Sequence, residues 1–160
     1  MTSLYPTTQS FVLQGPVLMS EKRYTRGNIM YYLFKEYPIF ARLVQLAKLD
    51  DQLNDDLFDG TLFVPCREYL DRYQDYLYSI QDVSVARNVV SASILPNVVQ
   101  LSVLESAVLP TQNKYNPIYV SQVGGECCIN GNLFIVKPNL LLNNGIVHVL
   151  NGMVNPRWNV

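Results

Sequence analysis

Hydrophobic and polar positions along this chain change their period near Pro96. Upstream, apolar residues recur at helical spacing. Asn28 stands where an N-cap belongs, ahead of Met30, Leu33 and Phe34, and Pro38 suits the first turn of a second helix with Phe40, Leu43, Val44 and Ala47 inward. Leu53, Leu57 and Phe58 predict a short third helix that Gly60 stops. Positions 60–65 read as an apolar strand ended by Pro65, followed by a helical run to about Ser79 with Tyr69, Leu70, Tyr73, Tyr76 and Leu77 inward. Asp82 caps a last helix that carries Val83, Ala86, Val89 and Val90 and ends before Pro96.

Downstream the runs are short and β-rich, at 98–101, 108–109, 118–123, 126–129, 133–136 and 146–150. Asn130-Gly131 is a hairpin signal, because that dipeptide accepts positive φ. The last run alternates most cleanly. Val147, Val149 and Met153 fall on one side and Ile146, His148 and Leu150 on the other, which predicts a strand covered on both faces. Asn144-Gly145 supplies a turn before it, and Pro156 ends pairing after it. Helices first and strands mostly afterwards predict an α+β domain with antiparallel strands, not alternating βαβ units. Residues 1–27, broken by Pro6, Gly15, Pro16 and Gly27, read as an extended arm with one short strand at 10–13.

Two stretches carry a resemblance. Thr61, Phe63 and Pro65 match the first motif of the fasciclin domain, and Asn144, Gly145, Val147, His148, Val149 and Pro156 match its second, in the family's order and separation. The chain resembles that family over roughly 28–156, which leaves 1–27 as an N-terminal extended arm and 157–160 as a C-terminal tail. The resemblance implies a fasciclin-like twisted β-sandwich or wedge, with antiparallel strands and several helices preceding most strands. It also implies that the motif residues are structural. Many fasciclin domains carry a Tyr-His pair, associated with integrin adhesion, just before the residue that corresponds to Pro96. Ala92 and Ser93 stand there in this chain, so the resemblance does not extend to integrin-type recognition.

Composition narrows the function classes. A chain of 160 residues with 49% hydrophobic content suits one domain with a sizeable core. Charged residues make up 16%, below the typical quarter, while Tyr occurs 11 times; a protein interface or a Tyr-rich core rim would each produce that balance. A net charge of -1 argues against a nucleic-acid partner, and Lys22, Arg23 and Arg26 read as a solvated lead-in to the first helix. No apolar run reaches the length of a membrane span, no N-glycosylation sequon occurs, and the N-terminus lacks a signal-peptide pattern. The expectation is an intracellular origin, or incorporation into a virion or other particle assembled inside a cell.

Candidate chemistry is sparse. Asp50, Asp51, Asp55, Asp56 and Asp59 invite a calcium loop, but aligning Gly60 with that loop's glycine puts Leu57 and Cys66 where oxygen ligands belong. No metal is therefore expected. Cys66, Cys127 and Cys128 form an odd set without zinc spacing and read as free thiols. His148 is the single histidine, so any Ser-His or Cys-His mechanism would need it, yet it lies inside the closing strand. Gly124-Gly125 is a turn without a phosphate-loop pattern. No catalytic residue, cofactor or enzyme activity is expected. Two function classes follow. The first is a structural protein–protein interaction module in a larger assembly, such as a minor or cementing virus capsid protein, which binds its neighbours through the arm and a Tyr-rich surface. The second is a cell-adhesion module that binds a surface receptor or glycan.

Overall fold

The computed structural model describes residues 24–101 and 106–154. Residues 1–23 of the arm, with its short strand, the tail and Pro156 lie outside the described residues, whereas Tyr24, near the arm's expected end, is buried in the core and its hydroxyl donates to Asp50 at 2.7 Å, so the domain starts at least that early.

Helices α1 (Ile29–Glu36) and α2 (Pro38–Leu46) open the domain and bury Ile29, Met30, Leu33, Phe40, Leu43 and Val44. Pro38 takes the first turn of α2 as expected. Asn28 does not cap α1. Its amide donates to the Asn54 carbonyl at 2.9 Å and to Asp56 Oδ1 at 2.7 Å, and the cap arrives from elsewhere in the chain.

The third helix, α3 (Asp50–Asn54), is shorter than the apolar pattern predicts. Asp55 Oδ1 accepts the Leu57 N–H at 2.9 Å, a local turn that competes with helix, and Leu57 ends 89% exposed.

Strand β1 (Gly60–Pro65) is buried along its whole length. The helical run after it breaks at Tyr73 into α4 (Arg67–Arg72) and α5 (Gln74–Ser79). Only Leu70 and Leu77 of the expected stripe are fully buried, while Tyr73 and Tyr76 are exposed and Tyr69 and Tyr73 pack ring against ring at 4.7 Å. Two leucines anchor these short helices and the tyrosines form their rim. Arg42 is buried beneath them, donating to the Leu77 and Ile80 carbonyls at 2.9 and 3.0 Å and so capping the end of α5. In α6 (Val83–Ser91), Asp82 caps as predicted, accepting from the Ser84 N–H at 2.7 Å. Ala86, Val89 and Val90 are buried, but Val83, in the first turn, is exposed.

The remaining strands are β2 (Ile94–Leu95), β3 (Ala107–Leu109), β4 (Ile118–Val123), β5 (Glu126–Ile129), β6 (Leu133–Leu142) and β7 (Gly145–Leu150). They form one seven-stranded sheet in the order β2-β1-β7-β6-β5-β4-β3. Every pairing among them is antiparallel except the one between β1 and β7. β1 and β7 run parallel, from Gly60 opposite Gly145 to Pro65 opposite Leu150, so the sheet is mixed. Parallel neighbours need a long connection, and everything from Cys66 to Asn144 provides it. β6 runs beyond the expected 133–136 because its register shifts on both sides of Lys137 carry it past Pro138 and Asn139 to pair with β7.

Alternation divides the core. Leu62, Val64, Val147, Val149 and Met153 pack against the helices, while Phe63 and Leu150 join Leu95, Leu101, Ile118, Val120, Ile129 and Val154 inside the curl of the sheet. The curl brings the two sheet ends together: just past β3, the Gln112 N–H donates to the Ile94 carbonyl in β2 at 2.8 Å.

Close approach at the β1–β7 start makes one glycine irreplaceable. Gly145 has φ +152°, and a Cβ there would stand 2.3 Å from the Gly60 carbonyl oxygen and 3.0 Å from Ile29 Cδ1. Gly145→Ala is expected to lower stability by about 3 kcal/mol, because the paired strands must separate. Gly124→Ala, at φ +61° with open space around it, should cost only about 1 kcal/mol of backbone strain. Urea unfolding of both variants checks the contrast, and equal losses would contradict it.

Candidate functional site

Parallel pairing sets Phe63 opposite His148, and alternation turns Thr61, Phe63, Ile146, His148 and Leu150 away from the helices. His148 is fully buried, its ring 5.4 Å from that of Phe63. The Asn139 N–H points at Nδ1 at 2.9 Å, and Nε2 lies 2.8 Å from the Val99 carbonyl. Only the neutral imidazole protonated at Nε2 satisfies both partners. Burial holds its pKa below the ordinary histidine value, with the Val99 carbonyl partly opposing that shift.

Thr61 completes the arrangement. Its hydroxyl donates to the Asn97 carbonyl at 2.6 Å and accepts the Val99 N–H at 2.9 Å. Both main-chain groups of Val99 are thus held by side chains, so 98–101 is a clamped segment and not the strand its composition predicts. Asn139 extends the clamp by accepting the Leu101 N–H at 3.2 Å.

Asn144 organises the opposite end of β7. Its Oδ1 accepts the Ile29 N–H at 2.9 Å from 115 residues away, which is the cap that α1 lacks locally. Its Nδ2 donates to the Leu53 and Asp55 carbonyls at 2.9 and 3.0 Å, tying down the end of α3.

The sequence matches the fasciclin domain model over residues 35–156. The chain belongs to the fasciclin domain family. Its structure is similar to that of the FAS1 domain pair from the insect cell adhesion molecule fasciclin I, with a TM-score of 0.67 at 18% identity, over 81% of this chain and 51% of that one. The chain thus spans about half the length of that domain pair. No curated protein matches the sequence.

In this fasciclin domain, Thr61, Asn144 and His148 bond to main chain, Phe63 and Val149 fill the two cores, and Gly145 permits the close strand approach. Val147 packs with Val149, and Pro65 ends β1 opposite Leu150. The last residue of the second motif, Pro156, lies outside the described residues. Ala92 and Ser93 are buried, so neither can face a partner.

No hydroxyl or thiol donates to His148, whose two nitrogens are both engaged by main chain. Among the described residues, no group of three His, Cys, Asp or Glu side chains is placed to hold a metal. The acids serve other ends: Asp50 accepts the Tyr24 hydroxyl at 2.7 Å and Asp56 the Asn28 amide. Cys66, Cys127 and Cys128 are free thiols, and burial raises the Cys127 pKa.

Surface chemistry gathers instead at one end of the sheet. Val108 and Tyr119 are register partners and both exposed, at 60% and 55%; Val123 continues the same face, and Tyr115 stands 77% exposed on the preceding loop. Sequence reading passed over these residues, although Tyr119 and Val123 in a half-polar strand were the available signal.

Removing these side-chain contacts to main chain should expose their roles. Asn144→Ala strands the buried Ile29 N–H and Leu53 carbonyl and the part-buried Asp55 carbonyl, and is expected to cost about 3 kcal/mol in urea unfolding. For His148, folded protein binds fewer protons than unfolded protein just below the ordinary histidine value. Its contribution is therefore complete above that pH and falls as pH drops, with a slope approaching about 1.4 kcal/mol per pH unit. His148→Gln should be less stable at pH 7.5 yet flatter between pH 6.5 and 5.5. An unchanged slope would show that His148 is not the titrating group.

Proposed function

We propose that this fasciclin domain is a non-enzymatic protein-binding module that serves as a structural part of a larger assembly. The carrying observation is the division of its polar chemistry. The polar side chains of the motifs are bonded to main chain inside the fold, whereas the exposed aromatic and apolar residues Val108, Tyr115, Tyr119 and Val123 cluster around β3 and β4 at one end of the sheet. Edge strands carrying exposed aromatics suit contact with another protein. A minor or cementing capsid protein is one such assembly; it depends on the arm at 1–27, and nothing among the described residues favours it over others.

A second reading is adhesion to a surface receptor or glycan. Likeness to a domain pair from an insect cell adhesion molecule supports it. The buried Ala92 and Ser93 argue for a contact surface other than the integrin-associated position.

Cross-linking in the native source tests the primary reading. Lys114 is exposed beside Tyr115 and should be joined to a partner protein, with Tyr119→Ala reducing that product severalfold. A chain that stays monomeric and uncross-linked in its native extract would overturn the assembly role.

A further inference from the structure

We propose that the cleft between the 110–117 loop and the β5–β6 turn binds a neutral β-1,4-linked glycan. This deepens the binding-module reading on its adhesion side and rests on that reading. Tyr115, Asn116, Pro117, Tyr119 and Asn130 line a volume of about 580 Å³, within the range of roughly 300–1,000 Å³ that small-ligand sites occupy.

The cleft walls are held in place before any ligand arrives. Thr111 is buried, and its hydroxyl lies 2.8 Å from both the Asn113 and the Asn116 carbonyls. Asn113 accepts the Tyr115 N–H at 3.2 Å and donates to the Asn88 carbonyl at 3.2 Å, which fastens the loop to α6. On the other wall, Asn130 adopts φ 54° in the hairpin turn. Its N–H donates to the Tyr119 carbonyl at 2.8 Å and its Oδ1 accepts the Tyr119 N–H at 2.9 Å. That pair fixes the amide plane, and Nδ2 remains a donor on a residue that lines the cleft with Tyr119. Less ordering is then required on binding.

Chemistry selects the ligand class. The exposed Tyr119 ring and the face of Tyr115 that Lys114 leaves uncovered are electron-rich, which attracts the polarised C–H bonds of a pyranose. Equatorial β-1,4 linkages leave those C–H faces flat, with hydroxyls at the rim where an amide donor and two phenol groups can reach them. None of the five lining residues is charged, so a phosphate or sulfate would meet no counter-charge in the cleft. Lys114 sits over the Tyr115 ring at 5.2 Å and outside the lining. A proline-rich peptide, the rival occupant, presents carbonyl acceptors and would leave the acceptor capacity of both phenols unused.

The test is a titration of the isotope-labelled full chain with cellotetraose and with N-acetylchitotetraose, followed by amide NMR shifts. Saturable shifts at Tyr119, Asn130 and Gly131 with at least one sugar are expected. Tyr115→Ala and Tyr119→Ala should each weaken binding at least tenfold, Tyr119→Phe should keep most of it, and Val136→Thr, on β6, should leave it unchanged. Absence of saturable shifts with both sugars overturns the proposal. Saturation by a ten-residue polyproline peptide and by neither sugar also overturns it and reassigns the cleft to peptide. Thermal midpoints separate lost binding from lost folding, and the phenylalanine variant keeps the test valid if the alanine variants unfold. Sugar failure with the Lys114 cross-link retained sinks this site alone, whereas failure of both removes the binding-module reading as well.

Discussion

Parallel pairing of β1 with β7 is the constraint on which the rest of the domain depends. It joins a strand near the middle of the chain to one near its end, and both are buried on both faces. The approach is close enough that the Gly60 carbonyl occupies space a Gly145 side chain would need. Once made, the pairing serves two cores at once, because alternation sends Leu62, Val64, Val147 and Val149 toward the helices and Phe63 and Leu150 into the curled sheet. A defect here is therefore felt on both sides. The pairing is also costly to find, since long-range strand contacts must close a long loop before their packing rewards them.

Polar side chains finish what the sheet cannot. The segment after β2 has no ladder partner, and the part-buried main-chain groups of Val99 and Leu101 would carry a desolvation penalty of up to about 1–3 kcal/mol each if left unpaired. Thr61 and His148 supply those partners to Val99, and Asn139 supplies one to Leu101. Asn144 does the same for the first turn of α1 and the last of α3. In each case a side chain on β1 or β7, or beside them, reaches outward to main chain. The strand pair thus acts as a frame, with irregular segments hung from it by hydrogen bonds.

Much of this was legible in the sequence where the signal is local. Pro38 and Asp82 marked their helix starts, Asn130-Gly131 its hairpin, and the alternation in 146–150 placed Val147 and Val149 opposite Leu150. Family motifs pointed to the residues that join the two halves. What escaped is non-local. Nothing near Asn28 tells that α1 is capped by Asn144, and strand direction is not encoded in the composition of either strand, so the parallel pair was expected to be antiparallel. The 98–101 run is β-rich, yet the side chains that claim its main chain lie on other elements. Tyr73 and Tyr76 share the spacing of core residues, but a tyrosine can end at the rim as readily as in the core, and periodicity does not distinguish the two. The exposed cleft is harder still, since its rings and amides come from one loop, one strand and one turn.

The saturation of the interior bears on where function can reside. A histidine whose two nitrogens both meet main chain can give or take a proton only by releasing a segment of the fold, and Thr61 is bound in the same way. Chemistry at such groups would compete with stability. Binding at the β3–β4 end carries no such conflict. Tyr115 and Tyr119 project from backbone that is already fixed by Thr111, Asn113 and Asn130, so their rings can be occupied or exchanged without disturbing the frame. A domain built this way can vary the rings of its contact surface while keeping the β1–β7 pair unchanged, because the hydrogen bonds that hold the cleft walls come from Thr111, Asn113 and Asn130 and not from the two tyrosine side chains.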